Sequence, residues 1–348
     1  MNSGTFRGPQ LGRVINPSSS SSDRSQMLTS KLVEMLSSSE LARWFASRAP
    51  VGQGMSRRFV PGESVDSAIA ASQTANAGGL KATLNYLGEF VEEEVGAKAA
   101  ADTYVEILNQ IVELGIDANI SVKPSQLGQT SEGTRYRSHF LRVIQSAEKA
   151  GIFVRLDMES SNLVGSTLDM FDTLWSAGST GVGIVLQASL HRTPDDLRKL
   201  IDGGVRIRLC KGAYQEPAGV AIQDVDAIRV RFLELTDQLL EEGVYPAFAT
   251  HDRALIDAVR ERAAAKRIDP LNYEFQMLYG IRRDLQEWLL AKGHNVRVYI
   301  PFGEMWYPYL MRRLAERPQN LRLIAKSVLQ DSFLGRWFTR PDRSDRAS

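Results

Sequence analysis

Between residues 80 and 301, short apolar runs alternate with longer segments whose apolar positions recur every three or four residues. The short runs, at 80–87, 119–123, 152–158, 183–187, 205–211, 245–251, 273–278 and 296–301, read as strands. The segments between them, among them 99–114, 136–150 and 225–242, carry the period of amphipathic helices. Strand followed by helix throughout predicts a parallel sheet with right-handed crossovers. Eight such units point to a closed (βα)8 barrel of the TIM type, α/β in class, rather than an open sheet.

Upstream, Leu28, Leu32, Val33, Met35, Leu36, Leu41, Trp44 and Phe45 predict a helix over 26–48, and 68–75 reads as another, ending at Gly78-Gly79. The expected organisation is a disordered tail at 1–25, rich in Ser, Gly, Pro and Asn, then accessory helices packed on the barrel at 26–79. The catalytic barrel follows at 80–325, and a C-terminal helix and tail at 326–348.

Composition narrows the function classes. The 348 residues suit one large barrel. A net charge of +1 gives no sign of nucleic-acid binding, and no apolar run reaches the roughly 18 residues needed to span a bilayer. One cysteine, Cys210, excludes an internal disulfide and a cysteine-rich zinc site. The four histidines, His139, His191, His251 and His294, include no i, i+4 pair, so no metal is expected. Neither a G-x-G-x-x-G fingerprint nor a P-loop is present. Arg7, Arg13 and Arg24 against one acid, Asp23, resemble a weak transit peptide. No amphipathic stretch accompanies them, so a cytoplasmic location is favoured over mitochondrial targeting.

Chemistry in such a barrel sits at the C-terminal strand ends. Here those ends carry Lys123, Asp157, Gln187, Arg206 with Arg208 and Lys211, His251 and Tyr299. Singly, each has a plain structural explanation: a solvated strand end, a hydrogen-bonded histidine, a helix cap. Together they read as a ring around one ligand, because buried polar groups are costly unless paired. Cys210 alternates within an apolar strand and reads as structural. After the last strand, a helix over 305–317 ends at Pro318 and places Tyr309, Arg312, Arg313 and Glu316 on one stripe. Two arginines can clamp a carboxylate, and a solvated Arg–Glu face explains the spacing equally well.

Four strings then carry a resemblance. Thr83-Leu84-Asn85-Tyr86-Leu87-Gly88-Glu89 is similar to the T-L-D-x-L-G-E of the proline dehydrogenase family, with Asn85 where the family has Asp. Residues 208–214 resemble its R-L-x-K-G-A-Y, residues 274–280 its E-F-Q-x-L-x-G, and residues 309–314 its Y-L-x-R-R-L. They lie in order from about residue 70 to 325.

The resemblance implies FAD held in the barrel mouth without a Rossmann domain. It also implies oxidation of L-proline to 1-pyrroline-5-carboxylate by hydride transfer to flavin N5. Electrons then pass to a membrane quinone, as the first step of proline degradation to glutamate. Lys123, Arg312 and Arg313 are expected to bind the proline carboxylate, and Tyr299, Tyr309 and Leu278 to wall the ring. Asp157 would pair with Lys123, and Arg208 would face flavin N5 and the pyrimidine side. Met158, Gln187, Leu209, Gly212, Thr250, His251 and Glu316 would contact the cofactor, and a Glu89–Arg312 pair would gate the site. Tyr299 implies proline over hydroxyproline.

The sequence ends soon after the barrel, so the expectation is a monofunctional enzyme, with a separate 1-pyrroline-5-carboxylate dehydrogenase as an expected partner. An apolar helix of Val328, Leu329, Phe333, Leu334, Trp337 and Phe338, edged by Arg336 and Arg340, either packs on the barrel or touches the inner face of the membrane. Two other functions fit the strand ends: a lyase or aldolase forming a Schiff base on Lys123 or Lys211, and a non-catalytic barrel that binds a small acid.

Overall fold

The structure, a computed structural model, describes residues 57–316, with side chains as far as 311. The tail, the helix expected at 26–48 and everything beyond 316 lie outside the described residues.

Eight parallel strands close a barrel in the order β1, β10, β9, β8, β7, β6, β5, β2. They are β1 (Lys81–Tyr86), β2 (Ala118–Val122), β5 (Val154–Leu156), β6 (Val182–Gln187), β7 (Ile207–Cys210), β8 (Ala247–Ala249), β9 (Glu274–Leu278) and β10 (Asn295–Phe302). A two-stranded ribbon, β3 (Gln129–Thr130) with β4 (Gly133–Thr134), sits in the loop after β2 and had no signal in the sequence pattern. The intervening helices are α2 (Glu94–Leu114), α3 (Arg137–Ala150), α4 (Ser161–Ser176), α5 (Thr193–Asp202), α6 (Val225–Glu242), α7 (Arg253–Ala265) and α8 (Arg283–Ala291). None of the described helices is long and apolar enough to cross a membrane.

Side chains alternate across each strand, and the two faces differ in chemistry. The outward set includes Leu84, Ile120, Val122, Leu156, Ile184, Leu209, Phe248, Phe275, Val298 and Ile300, all essentially fully buried beneath the helices. This is where the hydrophobic core lies. The opposite set is polar: Thr83, Asn85, Asn119, Ser121, Arg155, Arg208, Glu274, Gln276 and Arg297 are also buried. A TIM barrel usually fills its interior with branched apolar residues. This one fills it with hydrogen-bonding and charged groups, which are tolerable only in a connected network.

The outer ring is completed by a helix that precedes the barrel. Helix α1 (Val65–Ala77) packs on β1 and β10, burying Val65, Ala68, Ile69 and Ala75. Ser64 caps it by accepting from Ser67 N. The helix after β10, α9 (Trp306–Glu316), belongs instead to a separate apolar cluster of Val60, Leu87, Trp306, Tyr307, Tyr309 and Leu310. Leu87 directly follows β1, so this cluster sits at the C-terminal mouth. The segment before α1 fastens α9 there: Trp306 Nε1 donates to Glu63 Oε1 at 2.7 Å, and Gly303 N donates to Gly62 O at 3.2 Å.

Candidate active site

The middle of the barrel is organised around one carboxylate. Asp157, one residue past β5, accepts from three strands at once. Arg208 Nη1 of β7 donates to its Oδ1 at 2.8 Å, and Ser121 Oγ of β2 to the same oxygen at 2.7 Å. Tyr299 OH of β10 donates to Oδ2 at 2.7 Å. Arg208 Nη1 also donates to Ser121 Oγ at 3.2 Å. None of β2, β7 and β10 adjoins another in the barrel, so these bonds run through its interior. Burial and the Asp157 charge push the Tyr299 phenol well above its ordinary pKa, which holds it as a neutral O–H donor.

Arg208 is anchored by one nitrogen only. Its Nε and Nη2 are buried with no hydrogen-bond partner among the described residues. A buried donor left unmade costs about 1–3 kcal/mol, so this is an arginine held ready for a ligand acceptor. Desolvated donors fixed in advance stabilise negative charge far better than mobile ones in water.

Nearer the mouth, Lys123 Nζ forms a salt bridge with Glu89, both side chains being mostly buried. The short helical turn Pro124–Leu127 follows directly. Its Ser125 donates from N (3.0 Å) and Oγ (2.6 Å) to the Glu159 carboxylate. Burial raises the Glu159 pKa against the lowering effects of Lys123 and Ser125. Gln187 Nε2 in turn donates to Glu159 O at 2.9 Å, tying the end of β6 to the same turn. His251 accepts from Leu278 N at 2.8 Å through Nε2, which joins the ends of β8 and β9 and sets the tautomer with Nδ1 protonated.

Gly212, just past β7, has φ 109°. A Cβ there would stand 2.2 Å from Ser189 Oγ and 3.5 Å from Gln187 Oε1. Both conformation and space therefore require glycine. Gly212→Ala is expected to cost about 2–3 kcal/mol in urea unfolding. Adding Ser189→Gly should recover the contact part of that loss. An unchanged midpoint for the single variant would refute the reading.

Several expected placements change. Asp157 serves Arg208, Ser121 and Tyr299, while Lys123 meets Glu89. Arg206 lies before β7, at the opposite pole from the mouth. Leu209 alternates away from Arg208 into the helix-facing core, so any contact it makes with a mouth ligand is through its main chain. Asn85, at the family's Asp position, donates through Nδ2 to Ser121 O at 2.9 Å, a bond that a carboxylate could not make. Met158, Thr250 and Tyr309 are buried, and Leu278 is half-buried at the end of β9. Arg312, Arg313 and Glu316 lie on the last turns of α9, and their side chains, including the Arg312 half of the expected gate, lie outside the described residues. Ser121 and Glu159 were not singled out from the sequence. Alternation with Lys123 on β2 is the signal that could have found Ser121; Glu159 had none.

Both lysines proposed for Schiff-base chemistry have carboxylate partners. Lys123 pairs with Glu89, and Lys211 lies 3.5 Å from Asp252. A paired ammonium is a poor nucleophile.

A closed parallel barrel whose polar interior holds an anchored, part-satisfied guanidinium defines a TIM-type barrel with a candidate ligand site at its strand ends. The family model "Proline dehydrogenase" matches residues 68–325. The chain is 39% identical over 280 residues to "Proline dehydrogenase" of Deinococcus radiodurans, covering 79% of this chain and 90% of that one. It is 35% identical over 274 residues to "Proline dehydrogenase 1" of Bacillus subtilis (strain 168), with the same two coverages. Among solved structures, proline utilization A (PutA) from Bdellovibrio bacteriovorus inactivated by N-propargylglycine shares the fold at a TM-score of 0.75 and 22% identity. That likeness covers 94% of this chain and 40% of that one. The chain belongs to the proline dehydrogenase family. It is an oxidoreductase of proline catabolism, which sets aside the lyase and the non-catalytic barrel.

Proposed function

We propose that the chain oxidises L-proline to 1-pyrroline-5-carboxylate with FAD as its cofactor and a membrane quinone as the final electron acceptor. The observation that carries this reading is Arg208, whose buried Nε and Nη2 lack partners while Nη1 is fixed by Asp157 and Ser121. These residues fit a flavin, because an electron-rich ring that gains negative charge on reduction matches two desolvated donors on a fixed cation. When bound, FAD supplies the two-electron acceptor for a hydride. In the substrate, the ring C–H next to nitrogen breaks with its electron pair, a C=N bond forms, and an amine proton leaves to solvent.

The chain's own residues orient and hold charge. Lys123, Arg312 and Arg313 bind the proline carboxylate, the arginines as a two-pronged fork. Tyr299, Tyr309 and Leu278 wall the ring, and Tyr299 excludes a hydroxyl on it. Asp157 positions Arg208 and Tyr299 together. Gln187, Gly212, Thr250, His251 and Met158 line the cofactor side, with Glu316 and the Leu209 main chain. Glu89 and Arg312 close over bound substrate; Glu89, salt-bridged to Lys123 in this structure, exchanges that partner for Arg312 as Lys123 takes the proline carboxylate. The barrel works in the cytoplasm, with peripheral contact at the inner face of the membrane where quinone resides. It hands its product to a 1-pyrroline-5-carboxylate dehydrogenase.

Turnover with L-proline and a soluble quinone analogue tests the assignment, and trans-4-hydroxy-L-proline should be a much poorer substrate. No turnover by flavin-loaded protein would overturn it. Arg312→Met or Arg313→Met should raise KM for proline about 10- to 100-fold, each removing a charge-assisted bond of about 1.5–3 kcal/mol, while the flavin stays bound. Loss of flavin with normal KM would reverse these role assignments.

A further inference from the structure

The pole of the barrel opposite the mouth carries more positive charge than its own residues balance. Below the active-site layer, where Asp157 matches Arg208, three guanidiniums, from Arg155, Arg206 and Arg297, stand against one carboxylate, Glu274. Arg208 pairs with Asp157 at 2.8 Å and Arg297 with Glu274 at 3.0 Å. Arg155 and Arg206 have no carboxylate partner among the described residues.

Arg155 is 1% exposed. Its Nη1 donates to Arg206 O at 2.6 Å and Ile184 O at 3.2 Å, and its Nε is buried without a partner. Gly183 leaves the room for it, since a Cβ there would stand 2.9 Å from Arg155 Nη1. The Arg206 guanidinium lies between two rings, 4.3 Å from the centroid of Phe153 and 4.7 Å from that of Tyr245, and its Nε is likewise partnerless. Ring faces attract a cation but do not neutralise it. Unbalanced buried charge is among the costliest things a fold can hold, and a bound counter-ion relieves it.

A cavity of about 420 Å³ opens at this pole, with Arg206, Arg297 and Asn119 as its polar wall and Phe153 and Ile152 on the apolar side. Asp117 is also on its wall, with Lys81 at 4.0 Å as a counter-ion.

We propose that this cavity binds a small oxyanion, of the phosphate or carboxylate kind, against Arg206 and Arg297. The site is separate from the active-site mouth and does not depend on the flavin reading. It serves as a counter-ion site for the barrel's lower layer.

The test uses the full-length, flavin-loaded protein at constant ionic strength, with chloride exchanged for phosphate in one arm and acetate in the other. Calorimetric titration should show saturable binding in at least one arm, and the tighter arm identifies the source of the anion. Arg206→Gln should weaken that binding about tenfold or more, the loss of one charge-assisted contact, while Arg206→Lys should retain part of it. A second measurement needs no variant: the binding anion should slow phenylglyoxal labelling of Arg206, read by peptide mass spectrometry. Absence of saturable binding in both arms, equal binding by Arg206→Gln, or unprotected labelling would each overturn the proposal.

Discussion

Replacing Arg208 by methionine should lower kcat for proline oxidation by about 10²- to 10³-fold and change KM far less, the usual consequence of deleting one preorganised charge-stabilising donor. The side chain is 5% exposed, and its position is set by Asp157 and Ser121 rather than by substrate. On the proposed function, what the substitution removes is acceptor stabilisation during the chemical step. Asp157 loses its cation but keeps the hydroxyl donors of Ser121 and Tyr299, each at 2.7 Å, so the barrel should still fold at a cost of about 2 kcal/mol. Arg208→Lys keeps the charge without the planar fork and should recover only part of the rate. Steady-state kinetics on flavin-loaded variants checks this; a kcat for Arg208→Met within threefold of the parent would remove Arg208 from the chemistry.

The largest effect on stability is expected at Arg297→Met. Glu274 is 1% exposed and takes two bonds from Arg297 Nε, at 3.0 and 3.1 Å. The same guanidinium donates from Nη1 to Ala82 O at 2.7 Å, clasping β10 to both its neighbours, β9 and β1. Despite burial, the Arg297 charge holds the Glu274 carboxyl below its usual pKa, so it remains ionised. Removing the cation takes three hydrogen bonds from the clasp and leaves the buried Glu274 carboxylate, among the described residues, with Gln276 and the Tyr245 hydroxyl as donors and with Arg155 and Arg206 as more distant cations, at a cost of about 3 kcal/mol. The double variant Arg297→Met with Glu274→Leu should be more stable than the single one, because it also removes a buried carboxylate that has lost its hydrogen-bonded ion-pair partner. Urea unfolding of the three proteins checks both statements. A double variant weaker than the single one would contradict the account of this pair.

The barrel was legible because two periods alternate along the chain, and parallel strands under helices follow from that alone. The polar strand ends were legible one by one, since Lys123, Asp157, Gln187 and Arg208 interrupt apolar runs. Their partners were not. Which side chains meet across a closed barrel depends on stagger and register, which no local pattern records. The resemblance implies that Asp157 pairs with Lys123, which follows the neighbouring β2, whereas its carboxylate reaches across to Arg208 and Tyr299. The apolar run that begins at Val205 puts Arg206 with the mouth, but β7 begins only at Ile207 and leaves Arg206 at the far pole. Arg297 is hidden for the same reason: a charge at the start of a strand looks solvated until the closed barrel buries it. The helix expected at 68–75 does pack on the barrel, but nothing in its composition says that it takes the place of the helix after β10.

On the proposed function, Arg208 and its network serve a flavin that accepts electrons from proline. Anaerobic addition of L-proline to the purified, flavin-loaded protein tests it directly, followed through the visible flavin absorption. Bleaching is expected in the parent protein, slowed about 10²- to 10³-fold in Arg208→Met. A flavin spectrum that saturating proline leaves unchanged in the parent, or equal bleaching rates in the two proteins, would contradict it.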